Sequence, residues 1–217
     1  MSLPTRYAVL LDGGFVLKKL QQYTNRFPTA DDVEKACERL HSHESLKNCD
    51  LLRVYFYHAP PANEELVNPL DKSKVNLAET QIYHDHEKLL SVLEMRPNFA
   101  LRLGETVTYQ WKLGKRAMDS IMENTRAVEP RDLVPNVMQK GVDLRIGLDI
   151  ARLSLQGTVQ AIVVATGDSD LIPAFKFARR EGVRVYLDHM GHGIRRDLKA
   201  HADIVIDTPL PKELRNK

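Results

Sequence analysis

Lys140 to Leu187, KGVDLRIGLDIARLSLQGTVQAIVVATGDSDLIPAFKFARREGVRVYL, is the stretch whose reading decides the fold. Val142 to Leu155 carries apolar residues at Leu144, Leu148, Ala151 and Leu155, with Ile146, Ile150 and Leu153 beside them, a broad stripe at helical spacing that Gly157 ends. Ala161 to Ala165 is a short continuous apolar run rich in β-branched residues, as a parallel strand buried on both faces requires. It breaks at Thr166-Gly167-Asp168-Ser169-Asp170, where a second amphipathic segment begins, with Pro173 in its first turn and Gly182 at its end. A strand over Val183 to Leu187 follows. Strands alternating with helices pair in parallel through right-handed crossovers, and ligands of open α/β sheets sit at the carboxyl ends of the strands. Asp168 and Asp170 stand at such an end.

The start of the chain repeats the arrangement. Tyr7 to Leu11 is a continuous apolar strand running into Asp12-Gly13-Gly14 before a helical pattern from Phe15 to Tyr23. With the two strands side by side, Asp12 and Asp168 emerge on one edge, and Asp143 opens the 142–155 helix, where the dipole favours an anion. Carboxylates that converge from distant parts of a chain repel one another unless a cation lies among them, and hard oxygen ligands suit Mg²⁺ or Mn²⁺.

An apolar strand ending in Asp12-Gly13, then Lys140-Gly141-Val142-Asp143 opening a helix, then an apolar strand ending in Thr166-Gly167-Asp168-Ser169-Asp170, resembles the NYN domain family, LabA-like proteins of the wider PIN-like nuclease fold. The resemblance runs from about Tyr7 to Thr208, and Lys140 to Leu187 is its most specific part. Many relatives carry a polar residue one turn after the first aspartate, where this chain has Phe15 and Val16. The resemblance implies a three-layer α/β fold, Rossmann-like and PIN-like, with a mostly parallel central sheet and helices on both faces. It also implies a Mg²⁺- or Mn²⁺-dependent ribonuclease whose catalytic and metal residues map to Asp12, Asp143, Asp168 and Asp170. The chemistry expected is hydrolysis of single-stranded RNA by in-line attack of water, leaving a 5′-phosphate and a 3′-hydroxyl and needing no Ser, Cys or His nucleophile.

Composition bounds this reading. A chain of 217 residues holds one sizeable α/β core, so residues 1–208 are expected to form a single domain, with an inserted helix-plus-hairpin lobe at about 60–116 and a loose tail over 209–217. Charged residues are 28% of the chain but the net charge is only +2, so nucleic acid must be met by a local basic patch rather than by the whole surface. That patch is expected from Lys140 and from the glycine-containing loop with His189, His192, Arg195 and Arg196, which leaves on the carboxylate edge. Cys37 and Cys49 lack zinc-ligand spacing and suggest a reducing, cytoplasmic setting, and no segment reaches the ~18 apolar residues of a membrane span. RNA is the partner expected; a homodimer or a protein partner is left open.

Between these anchors, Thr29 or Asp31 caps a helix running to about His43, and Leu51 to His58 is the second strand of the sheet. Asn76 to Met95 reads as a helix and Phe99 to Leu113, with its Gly104-Glu105 turn, as a hairpin. Tyr109, Trp111 and Phe99 can stack bases there, or simply pack a core. His84 and His86, at i and i+2 on a helix, do not share a face and do not form a zinc pair.

Each acidic motif has a competing structural reading. Asp168-Ser169-Asp170 suits a helix cap, Asp143 suits a helix start, and Asp149 suits pairing with Arg145 or Arg152. Two rival functions stay open: a non-catalytic RNA-binding module, and another metal phosphohydrolase. Haloacid-dehalogenase-like folds need Asp-x-Asp after the first strand, where this chain has Asp12-Gly13-Gly14, and Toprim folds need a Glu ending an early strand, of which there is no sign.

Overall fold

The computed structural model of the chain describes residues 5–215. Strand β1 (Arg6–Asp12) runs into helix α1 (Gly13–Thr24), and α2 (Ala30–His41) follows before β2 (Asp50–His58). The short strands β3 (Glu65–Val67) and β4 (Lys74–Asn76) pair antiparallel, then α3 (Gln81–Glu94) leads to β5 (Phe99–Leu103). A long ribbon forms from β6 (Glu105–Leu113) and β7 (Leu133–Lys140), with α4 (Lys115–Glu123) between them. Next come α5 (Val142–Leu155), β8 (Ala161–Ala165), α6 (Ile172–Arg180), β9 (Arg184–Asp188), α7 (Arg196–Ala200) and β10 (Ile204–Ile206).

The expected three-layer α/β architecture is present. Six strands form one sheet in the order β10-β9-β8-β1-β2-β5, every neighbouring pair parallel. The alternation of strand side chains divides the core in two. Tyr7, Val9 and Leu11 face α1, α2 and α3 through Leu17, Leu20, Val33, Leu40 and Leu93, whereas Ala8 and Leu10 face α5 and α6 through Ile146, Ile150, Leu153 and Phe175. Leu10, Leu20, Leu40, Ile146 and Ile150 are wholly buried, each worth about 1.5–3 kcal/mol relative to exposure. This is why β1 and β8 read as unbroken apolar runs.

Local signals set the helix ends. Thr29 caps α2 by accepting from the Asp32 N–H, while the Asp32 carboxylate accepts from the Thr29 N–H. Arg26 closes this box with two hydrogen bonds to Asp32, at 2.6 and 3.0 Å. Asn25 ends α1 in the left-handed region at φ 58°.

Four expectations are corrected. Phe99 to Leu113 is no hairpin: Phe99–Leu103 joins the sheet beside β2, and Glu105–Leu113 pairs with Leu133–Lys140 instead. Pro135 weakened the strand signal of β7, and its partner lies across α4, so no local turn announced the pairing. Within the expected 60–116 lobe, α3 and β5 accordingly belong to the main layers; only the β3–β4 hairpin and the ribbon with α4 stand apart from the sheet. In α5 the buried face is Val142, Ile146, Ile150 and Leu153, while Leu144, Leu148 and Leu155 are at least 60% exposed. Two apolar faces some 200° apart share one periodicity, and only packing chooses between them. The tail is not loose over its described part, because Leu210 and Leu214 are buried in the α1–α3 side of the core and Arg215 lies over the Tyr23 ring; Asn216 and Lys217 fall outside the described residues.

Arg39 of α2 and Asp188 at the end of β9 form a buried ion pair, and Arg39 also donates to the Thr208 carbonyl at 2.9 Å. Removing one partner strands a charge in the core. Arg39→Ala is therefore expected to lose about 3–5 kcal/mol of stability, read as a lowered urea midpoint, while Arg39→Met with Asp188→Leu recovers much of that loss.

Candidate metal and nucleic-acid site

β1 lies between β8 and β2, and the chain leaves β1 for helices on one face of the sheet and leaves β8 for a helix on the other. The two departing connections open a crevice above the carboxyl ends of β1 and β8, the place where doubly wound sheets take their ligands. Leu11 pairs with Ala165 in register, so the next residues, Asp12 and Thr166, stand side by side. Gly13 is required at this point because a Cβ there would lie 2.5 Å from the Tyr57 carbonyl oxygen.

Thr166 ties the two acidic turns together. Its hydroxyl donates to Asp12 Oδ2 at 3.2 Å and accepts from the Asp168 N–H at 3.1 Å. Asp12 Oδ1 accepts from the Phe15 N–H at 3.1 Å, and Asp168 Oδ1 accepts from the Asp170 N–H at 2.9 Å. Asp168 is thus the helix cap that the competing reading required, Asp12 caps α1 in the same way, and both carboxylates are aimed by those bonds. Asp143, in the first turn of α5, comes from the α6 side of the sheet.

Two of the aspartates feel the charge of others on this edge. Burial raises the Asp12 pKa, with Asp143 and Asp168 adding to the rise against the lowering hydrogen bonds from Phe15 and Thr166. Burial also raises that of Asp143, with Asp168 and Asp170 adding to it. No basic side chain opposes either shift. The contrast with the rest of the molecule is sharp. The fully buried Asp32, Asp132 and Asp188 are matched by Arg26, Arg126 and Arg39, and Asp149 by Arg102 and Arg152. Among the described residues, Asp12, Asp143, Asp168 and Asp170 have no salt-bridge partner. Asp149 also accepts from the Tyr57 hydroxyl at 2.9 Å, so its role is structural.

The donor set is all carboxylate oxygen, which suits Mg²⁺ or Mn²⁺. Among the described residues no three His, Cys, Asp or Glu side chains come together in a group that could hold a metal ion. Mg²⁺ usually keeps several waters and uses one or two carboxylates together with substrate phosphate, so the open arrangement fits it.

The expected basic residues divide. His192 reaches the acidic turn: its ring lies 6.0 Å from that of Phe15, and Phe15 packs so closely on Gly167 that a Cβ there would sit 2.9 Å from the ring. Lys19 Nζ lies 3.0 Å from His192 Nδ1, and Lys19 and Lys18 lower the His192 pKa after burial, the first cause. Phe15, where a polar residue was the family expectation, thus wedges the turn against this basic edge. His189 is tied to Asp207 at 2.8 Å and Arg195 to Asp197 at 3.1 Å, while Arg196 is exposed at the start of α7. Lys140 does not offset the carboxylates; its ammonium lies 5.1 Å from the centroid of the Tyr109 ring. Thr166, Lys18 and Lys19 escaped the sequence reading. Thr166 was legible as the residue bridging strand and acidic turn, whereas the lysines point to this edge only because α1 starts there.

His58, at the carboxyl end of β2, lies buried beside this edge, stacked on His86 of α3 with ring centroids 5.1 Å apart. Its Nε2 is 3.0 Å from His86 Nδ1, and burial, with a smaller contribution from His86, pushes its pKa down to about 4.

An open, all-parallel sheet with unpaired carboxylates at its switch point defines a doubly wound α/β protein with an acidic candidate site. The family model of the NYN domain matches residues 94–209, and the chain belongs to that family. No curated protein matches the chain. Among solved structures, a protein of unknown function from Vibrio parahaemolyticus RIMD 2210633 is similar at a TM-score of 0.53 and 14% identity, over 97% of this chain and 100% of that one. That likeness supports the fold.

A carboxylate with a raised pKa costs stability once it ionises. Stability is present at low pH and falls as pH rises from about 3.9 through the raised value. Asp12→Asn is therefore expected to raise the melting temperature at pH 7 in EDTA, and Mn²⁺ to stabilise the wild type but not the variant, as read by scanning calorimetry. His58 has the opposite sign. Its lowered pKa gives stability that is full above about 6.5 and lost as pH falls toward about 4, up to ~3 kcal/mol in all. Chemical denaturation of His58→Gln across that window is expected to show a flatter pH dependence than the wild type.

Proposed function

We propose that the protein is a divalent-metal-dependent ribonuclease acting on single-stranded RNA in the cytoplasm. The carrying observation is a set of aspartates without counter-charge at one sheet edge: the half-buried Asp12 and Asp168 and the exposed Asp143 and Asp170 have no arginine partner among the described residues, whereas the buried Asp32, Asp132 and Asp188 each have one. Membership of the NYN family supports the reading. Both cysteines are free, which suits a reducing compartment, and no described helix is long and apolar enough to cross a membrane.

Asp12, Asp143, Asp168 and Asp170 would hold the Mg²⁺ or Mn²⁺. Bound there, the cation would polarise the phosphodiester and lower the pKa of the attacking water. Thr166 and the Phe15 N–H keep both Asp12 oxygens oriented, so the carboxylate does not have to reorganise when substrate arrives. Asp143 and Asp170 are the exposed members, and the Asp170 N–H fixes one oxygen of Asp168. Lys18, Lys19, His192 and Arg196 give the phosphodiester backbone a positive edge beside the acidic crevice. A flexible single strand can enter a crevice between strand ends that a duplex cannot. Water attack leaves a 5′-phosphate and a 3′-hydroxyl.

A second reading has one observation of its own: no three of these side chains come together in a group that could hold a metal ion. It makes the protein a regulatory module that binds RNA without cutting it.

Labelled single-stranded RNA, incubated with Mn²⁺, Mg²⁺ or EDTA, separates the two. Metal-dependent cleavage is expected, falling by about 10²-fold or more in Asp168→Asn, since losing a group that merely orients a ligand already costs 10–100-fold. RNA binding without cleavage in any metal favours the regulatory module.

A further inference from the structure

Beside the acidic edge, on the β2 side, lies a cavity of about 550 Å³ that the proposed chemistry does not use. Its walls come from the loop after β2 (Ala59 to Ala62), the start of α3 (Ile82, Tyr83, His86) and the ribbon (Thr106, Val137, Gln139). Both flanks are close in chain to the carboxylates. Tyr57, opposite Asp12 in register, precedes Ala59 by two residues, and Gln139 precedes Asp143 by four. The volume lies within the range of small-ligand pockets.

The lining chooses the ligand. It contains no Asp, Glu, Lys or Arg, and its one titratable imidazole, His86, is held toward the neutral form by burial. A phosphate or an ionised metabolite finds no counter-charge there, whereas an uncharged planar ring finds Pro61, Tyr83 and Val137. Hydrogen-bond groups are few and oriented. Thr106 donates to the Pro60 carbonyl and Thr80 to the Leu77 carbonyl at 2.6 Å, so both hydroxyl protons are used. Gln139 Nε2 lies 3.2 Å from His58 Nδ1, and His58 Nε2 lies 3.0 Å from His86 Nδ1. Gln139 Nε2 is also 3.3 Å from His58 Nε2; in the tautomer where His58 Nδ1 accepts from the amide, its Nε2–H donates to His86 Nδ1 and the His86 proton sits on Nε2. Among the described residues this leaves the His86 Nε2–H donor, the Gln139 Oε1 acceptor and the Tyr83 hydroxyl without hydrogen-bond partners in the lining. An adjacent donor and acceptor is what the Watson–Crick edge of an unpaired base presents.

We infer that this cavity is a base-binding subsite that takes one unstacked nucleobase of the RNA strand whose backbone crosses the carboxylate edge. The inference rests on the RNA reading and deepens it: base insertion would set which phosphodiester is presented to the acidic crevice. The stacked His58–His86 pair acts as a positioning element, holding Gln139 and the His86 tautomer.

The test is binding in EDTA, without turnover, of a short fluorescent single-stranded RNA and of the same oligomer with abasic sites, measured by anisotropy at fixed salt. Wild-type protein is expected to bind the base-bearing RNA about tenfold or more tighter than the abasic one. Ala62→Trp, which fills the cavity from a loop and leaves the sheet untouched, and Gln139→Ala should each shrink that ratio toward one while abasic binding and its salt dependence stay unchanged. Equal affinities in the wild type, or a ratio unaltered in Ala62→Trp, would overturn the subsite while leaving the RNA reading intact. If the wild type binds neither oligomer, the RNA reading itself fails and the subsite with it.

Discussion

Parallel pairing of β1 with β8 is the constraint on which the rest of this molecule depends. Each strand is buried on both faces, so its register is fixed by side chains that cannot face water, and the register delivers Asp12 and Thr166 to the same level. Thr166 then bonds to both acidic turns. Like charges are brought together here because the apolar strands beneath them leave no other arrangement. The repulsion is tolerable because two layers of core, one on each face of the sheet, hold the strands in place.

The distribution of arginine shows that this repulsion is local. Arg26 with Asp32 and Arg126 with Asp132 are nearly superimposable in chemistry: a guanidinium with two hydrogen bonds to an aspartate that also accepts a backbone N–H three residues before it. Arg39 neutralises Asp188, which ends β9 on the same edge as the acidic site. Position at the carboxyl end of a strand is thus not sufficient to make a cation site; what distinguishes Asp12, Asp143 and Asp168 is that no guanidinium reaches them. For Asp12 and Asp143, desolvation without such a partner raises the carboxylate pKa.

The ribbon gives the edge its second wall. β7 runs from the antiparallel pairing with β6 through Gly141 directly into α5, so whatever contacts the ribbon is a few residues from Asp143. On the other side, the Gly104 N–H donates to the His58 carbonyl at 2.8 Å, anchoring the ribbon's first strand to the end of β2. A set of acidic turns and a cavity without charged lining therefore lie along one edge of one sheet.

Much of this was legible in the residues alone. Unbroken apolar runs at Tyr7 to Leu11 and Ala161 to Ala165, each followed by Gly and Asp, read as buried parallel strands, and that placed Asp12 and Asp168 on one edge of the sheet. Sequence could not tell which face of α5 is buried, since Ile146 and Leu148 have the same spacing and nearly the same hydrophobicity. Nor could it pair Glu105–Leu113 with a strand twenty residues away, or show that Lys140 turns to Tyr109 and that Lys19 meets His192 across the fold. Those outcomes depend on which surfaces meet. Periodicity records what one segment must bury, and only the packed chain decides against what.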